Sequence, residues 1–126
     1  MYSVRIRDHI MIAHSLDHPG FGPAREMHGA TYVVDVTFYQ SALDEMNVVI
    51  DIGLAQRIVH EVLEKLNYQN LDELPAFKGQ LTTTEFLCKA IFGRIADRLK
   101  EKFKGKMLVT LGESHIAWAS YESVVA

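Results

Sequence analysis

The spacing of apolar residues along this 126-residue chain switches period twice, and that switch limits the folds open to it. In the opening stretch Val4, Ile6, Ile10 and Ile12 alternate with polar positions, the two-residue period of a half-buried strand. A loop follows at Asp17-His18-Pro19-Gly20-Phe21-Gly22-Pro23, where two prolines and two glycines break any regular element. Alternation then returns: Tyr32, Val34, Val36 and Phe38 share one face, and Thr31, Val33, Asp35, Thr37 and Tyr39 the other. A shorter β-rich patch spans Asn47 to Asp51.

From there the period is helical. Leu54, Ile58, Val59, Val62, Leu63 and Leu66 form one stripe, with Gln56, Arg57, Glu61, Glu64 and Lys65 on the polar arc and Asp51 placed to cap. The string Thr82-Thr83-Thr84-Glu85 predicts a second helix start, a capping box with Thr82 as cap and Glu85 reaching back. Its stripe runs Phe86, Leu87, Ala90, Ile91, Ile95, Leu99 and Phe103. Lys100, Lys102, Lys104 and Lys106 gather at its C-terminal end, where they complement the dipole, and Gly105 marks the stop. Two closing strands are expected around Met107 to Leu111 and His115 to Tyr121, separated by Gly112-Glu113-Ser114.

The order ββααββ predicts one α+β domain over residues 1–126: a four-stranded antiparallel sheet with both helices on one face. Such a sheet has two long edges, and residues such as Phe38, Tyr39 and Trp118 do little to blunt them. Pairing of edges between copies into a closed barrel is the expected remedy, so a homo-oligomer is predicted.

Composition narrows the class of partner. Hydrophobic residues at 48% and charged residues at 23% suit a globular chain rather than a disordered one. The net charge of −3 comes without a basic block, so no nucleic-acid partner is expected. The apolar runs are too short to span a bilayer and the start lacks a signal-type apolar region, so no membrane partner is expected either. A lone cysteine, Cys88, excludes an internal disulfide framework and fits a reducing compartment; a cytoplasmic location is the expectation. Cys88 falls inside the second helix and reads as a small packed side chain.

Four of the six histidines (His9, His14, His18 and His28) fall in the first quarter of the chain. Several short strings give that clustering a meaning. Ile12-Ala13-His14 ends the first strand and His28-Gly29 opens the second; Val49-Ile50-Asp51 turns into the first helix; Leu66-Asn67-Tyr68-Gln69-Asn70-Leu71 and Thr83-Thr84-Glu85 precede and open the second. In that order and spacing, together with Gly112-Glu113, they resemble the 6-pyruvoyl- and 6-carboxytetrahydropterin synthases, a family of the T-fold. The resemblance covers nearly the whole chain and marks it as a divergent member.

The resemblance implies a lyase acting on a reduced pterin of the dihydroneopterin type, with a zinc ion as cofactor. It implies His14 and His28 as two metal ligands and Glu113 as the carboxylate that anchors the pterin ring. A carboxylate suits that task because it accepts two parallel hydrogen bonds from an N–H/NH₂ edge. It also exposes departures. Ala30 stands where the family has its third histidine ligand, Ala24 where it has the catalytic cysteine, and Asn67-Tyr68 where it has an Asp-His pair.

The substitutes are local. His18 or Asp17, in the Pro/Gly loop, are the candidates for a third ligand. Glu26, two residues past the cysteine position, is a candidate base, although its bland reading is a loop carboxylate. Tyr68 is a candidate proton donor or simply a packed aromatic. His115 is a pocket acid/base or a strand residue, the latter weighing more. Thr83 and Thr84 align near the pterin edge, while helix capping also explains them. Two functions from different classes follow: an altered, zinc-dependent lyase, or a non-catalytic T-fold oligomer that binds a ligand or partner. An oligomeric domain with no pocket is a third.

Overall fold

The computed structural model describes residues 1–126, and its backbone realises the double change of period. Strands β1 (Tyr2–His14) and β2 (His28–Gln40) pair antiparallel along their full length, from Tyr2 opposite Gln40 to His14 opposite His28. Helix α1 (Ile52–Glu64) follows, then β3 (Gln69–Asn70), helix α2 (Thr84–Arg98), and the hairpin of β4 (Gly105–Ser114) and β5 (Ala117–Val125). The sheet order is β3-β1-β2-β4-β5.

The sheet therefore has five strands rather than the expected four, and it is mixed. The added β3 is two residues long and runs parallel to β1 at Ile12 and Ala13. The Asn47–Asp51 patch is no strand: the Asp44 carboxylate accepts from the Met46 and Val48 amides, taking them out of any ladder, and Val49 and Ile50 are buried.

Register explains the core. Ile6 faces Val36 and Ile10 faces Tyr32, while Val36 faces Val109 and Phe38 faces Met107, so one sheet face is a continuous apolar floor. Helix α1 lays Ala55, Ile58, Val59, Val62 and Leu63 on it, and α2 adds Leu87, Cys88, Ile91, Phe92 and Ile95. Cys88 is fully buried, and burial pushes its thiol up to about 11, which fits the packed role. The opposite face carries no helix and is largely polar, including the cross-strand pair of Arg7 and Asp35 at 2.8 Å. No helix is long and apolar enough to cross a membrane.

One helix cap matches the sequence expectation and the other differs from it by one residue. Asp51 caps α1 by accepting from the Gly53 amide. At α2 the cap is Thr83, whose hydroxyl accepts from the Phe86 amide at 3.1 Å; Thr82, one residue too early, turns inward instead.

Candidate ligand site beneath the start of helix α2

The site forms where the ends of β1, β2 and β4 meet the first turn of α2. Because β1 and β2 pair to their last residues, His14 and His28 become direct cross-strand neighbours on the helix-covered face. Their rings stand 4.6 Å apart, edge to face.

Each ring is tied down through Nδ1. His28 Nδ1–H donates to the Glu26 carbonyl at 2.8 Å. A carbonyl only accepts, so the hydrogen-bond network assigns the proton to Nδ1 and the lone pair to Nε2. His14 Nδ1 lies 2.9 Å from the Thr82 hydroxyl, with both residues buried. The Thr82 hydroxyl can donate to Nδ1 or accept from Nδ1–H, so this bond fixes the ring under either tautomer. Burial, reinforced by the neighbouring His28, holds His14 below the usual histidine range, so the ring is neutral at pH 7. Neither Nε2 has a hydrogen-bond partner in the chain, and no buried side-chain nitrogen or oxygen is left sealed off without one.

Glu113 sits at a break in register between β4 and β5: Gly112 faces Trp118, whereas Ser114 faces Ala117. A bulge re-aims its side chain, and here the carboxylate reaches the first residue of α2, where the Thr84 hydroxyl donates to it at 3.4 Å. The positive end of the helix favours an anion there. Glu113 stays exposed on its other side. Its charge acts on both His14 and Tyr32, which ties the three into one locality. Tyr32 is buried, and burial pushes its hydroxyl above the usual tyrosine range, so it is a neutral phenol at pH 7.

The structure thus brings together His14, His28, Thr84 and Glu113 from the sequence-based set. The others lie apart. His18 uses Nδ1 to accept from the Gly20 amide at 3.0 Å, and Asp17 pairs with Arg25. Glu26 contributes its carbonyl to His28 and leaves its carboxylate in solvent. Thr83 is the cap of α2, and His115 is exposed in the β4–β5 turn rather than in a strand. Tyr68 has a positive φ of 60° and a ring 78% exposed; its amide donates to the Met11 carbonyl, on the outer edge of β1.

Two contributors escaped the sequence reading. The alternation places Tyr32 only on a strand face, and the capping box assigns Thr82 to the helix start. The available signal for Thr82 was the run of three threonines where a cap requires one.

The donor set fits half of a zinc site. Two imidazoles with Nδ1 anchored and Nε2 free are how histidines are held for a metal. Catalytic zinc takes three protein ligands, however. Position 30 offers a methyl group, and no cluster of three histidine, cysteine, aspartate or glutamate side chains exists that could hold a metal ion. The residues present do not make a three-ligand centre.

Comparison with known proteins agrees with this layout. No curated protein matches the chain. The structure of the Caenorhabditis elegans 6-pyruvoyl tetrahydropterin synthase superposes with a TM-score of 0.84 at 20% identity, over 97% of this chain and 95% of that one. The Plasmodium vivax and Plasmodium falciparum synthases give TM-scores of 0.78 and 0.75 at 15% and 16% identity. They cover 99% and 98% of this chain, and 100% and 99% of their own. At such identities the likeness establishes the T-fold alone. The family model for 6-pyruvoyl tetrahydropterin synthase matches residues 3–124. On that match, with the fold shared from end to end, the chain belongs to the 6-pyruvoyl tetrahydropterin synthase family.

Proposed function

We propose that this protein binds a reduced pterin of the dihydroneopterin type, or a closely related ring, through the Glu113 carboxylate. One observation carries the reading: Glu113 is held on one side by Thr84 and left open on the other, within electrostatic reach of His14. A carboxylate so placed accepts two parallel hydrogen bonds from the N–H/NH₂ edge of the ring. The substituent at the far end of the ring then extends toward His14 and His28.

The activity that goes with this reading is a lyase step on that substituent, with an altered set of proton-handling groups. The second reading is a ligand-binding assembly without turnover. It is favoured by the alanines at positions 24 and 30 and by Tyr68, which is exposed. Under either reading we propose assembly of copies through the sheet edges. β1 has no strand partner on its outer side from Tyr2 to Met11, and β5 has none along its length.

The test is a calorimetric titration of 7,8-dihydroneopterin into the wild type and Glu113→Gln, followed by a turnover assay with the same compound. Hydrogen bonds to a charged group contribute about 1.5–3 kcal/mol each, so the variant is expected to bind at least about tenfold more weakly. Equal binding by the two proteins would sink the Glu113 reading. Product formation would separate the lyase from the binding assembly.

A further inference from the structure

The histidine pair differs from a metal centre in a way that defines its own chemistry. Two unpartnered Nε2 atoms are presented from rings 4.6 Å apart, and both rings are locked by Nδ1 contacts at 2.8 and 2.9 Å. The Glu26 carbonyl cannot donate, so His28 cannot turn its acceptor nitrogen back into the protein without losing a bond. Neither Nε2 is satisfied by another side chain or sealed away in the core, so both remain to be satisfied from outside the chain. A third donor to close a metal shell is absent, since Ala30 presents only a methyl group and His18 and Asp17 are engaged within their loop.

We infer that His14 and His28 hold no resident zinc in this protein and instead accept hydrogen bonds, through their two Nε2 atoms, from hydroxyl groups on the ligand's side chain. This rests on the Glu113 reading for the placement of the ring. It adds a substrate class: an uncharged, polyhydroxylated substituent. A ring bearing only an alkyl group leaves both acceptors unpaired. A phosphorylated tail adds acceptors where the His28 Nε2 needs a donor.

Two probes separate this assignment from the reading it rests on. 7,8-Dihydroneopterin carries a trihydroxypropyl side chain, and 6-methyl-7,8-dihydropterin carries none of those hydroxyls on the same ring. Both are titrated in EDTA into the wild type, His14→Ala and His28→Ala, and zinc retained by the wild type after dialysis is measured by elemental analysis. The expected result is no retained zinc and a preference for dihydroneopterin of at least about tenfold in EDTA, from two hydrogen bonds of roughly 1 kcal/mol each. That preference is expected to fall by about fivefold, the share of one such bond, in either histidine variant. Equal affinity of the two probes in EDTA, or about one zinc retained per chain, would overturn the assignment while leaving Glu113 as the ring anchor. Failure of both probes to bind would overturn the Glu113 reading and this assignment together.

Discussion

Thr82, Thr83 and Thr84 follow one another in the chain and face three different partners. The first meets His14, the second caps α2, and the third donates to Glu113. Thr83→Ala is expected to cost about 1 kcal/mol in a urea melt, the ordinary loss of a cap. Thr82→Val leaves the buried His14 Nδ1 with one partner fewer, and a cost of about 1–3 kcal/mol is expected in the same melt. A Thr82→Val melt indistinguishable from wild type would remove Thr82 from the site. Position 30 gives a gain rather than a loss. It lies two residues beyond His28 on the same strand face, so Ala30→His supplies the missing third imidazole. That variant is expected to retain zinc after dialysis, at least tenfold above the wild type by elemental analysis. Sequence alone revealed the histidines and Glu113, because each sits in a recognisable string. It misplaced the cap and missed Thr82 and Tyr32, because consecutive residues in a turn differ only in direction, which no spacing rule encodes.

At the level of elements, the β4–β5 hairpin aims the anchoring carboxylate. Gly112 is buried under the Trp118 ring, and a Cβ there would overlap the ring carbons. Gly112→Ala is therefore expected to push Trp118 aside, lower stability by about 1–3 kcal/mol, and weaken pterin binding by moving the adjacent bulge. Full stability and affinity in that variant would contradict the packing account. The β1–β2 pair has its own signature. Its Arg7 guanidinium, by hydrogen bond and by charge, holds the Asp35 carboxyl below the usual carboxylate range. A carboxyl lowered on folding contributes fully above its unfolded value near pH 4, and that contribution is lost as pH falls through the folded value. The acid loss of stability below about pH 4 is thus expected to be smaller in Asp35→Asn than in wild type. The long strands and both helices were legible because their periods persist over many residues. β3 was not: two residues carry no period, and its position follows from the Asn67 side chain accepting from the Met11 amide and from the left-handed turn at Tyr68. The Asn47–Asp51 patch misled for a related reason, since a short apolar run has the same composition in a buried loop as in a strand.

The whole molecule is an open sheet with one face covered and both edges available. β1 and β5 run antiparallel to each other across it, so β5 of one copy can meet β1 of the next and keep the pattern alternating. Sedimentation velocity is expected to show an assembly at a multiple of the 14.3 kDa chain mass. A monomer at micromolar concentration would contradict edge pairing. The edges were legible from the strand count and the absence of edge-blunting residues, whereas the number of copies that close a ring is a matter of tilt and stagger that no local string records. The site itself lies at one end of this sheet, between elements far apart in sequence, which is why single motifs located its residues but not its geometry. A crystal structure with bound 7,8-dihydroneopterin tests the account most directly. It predicts the N–H/NH₂ edge of the ring within about 3 Å of the Glu113 carboxylate and the hydroxylated side chain against the Nε2 atoms of His14 and His28. A ring bound elsewhere, or one turned so that its side chain meets Glu113, would contradict it.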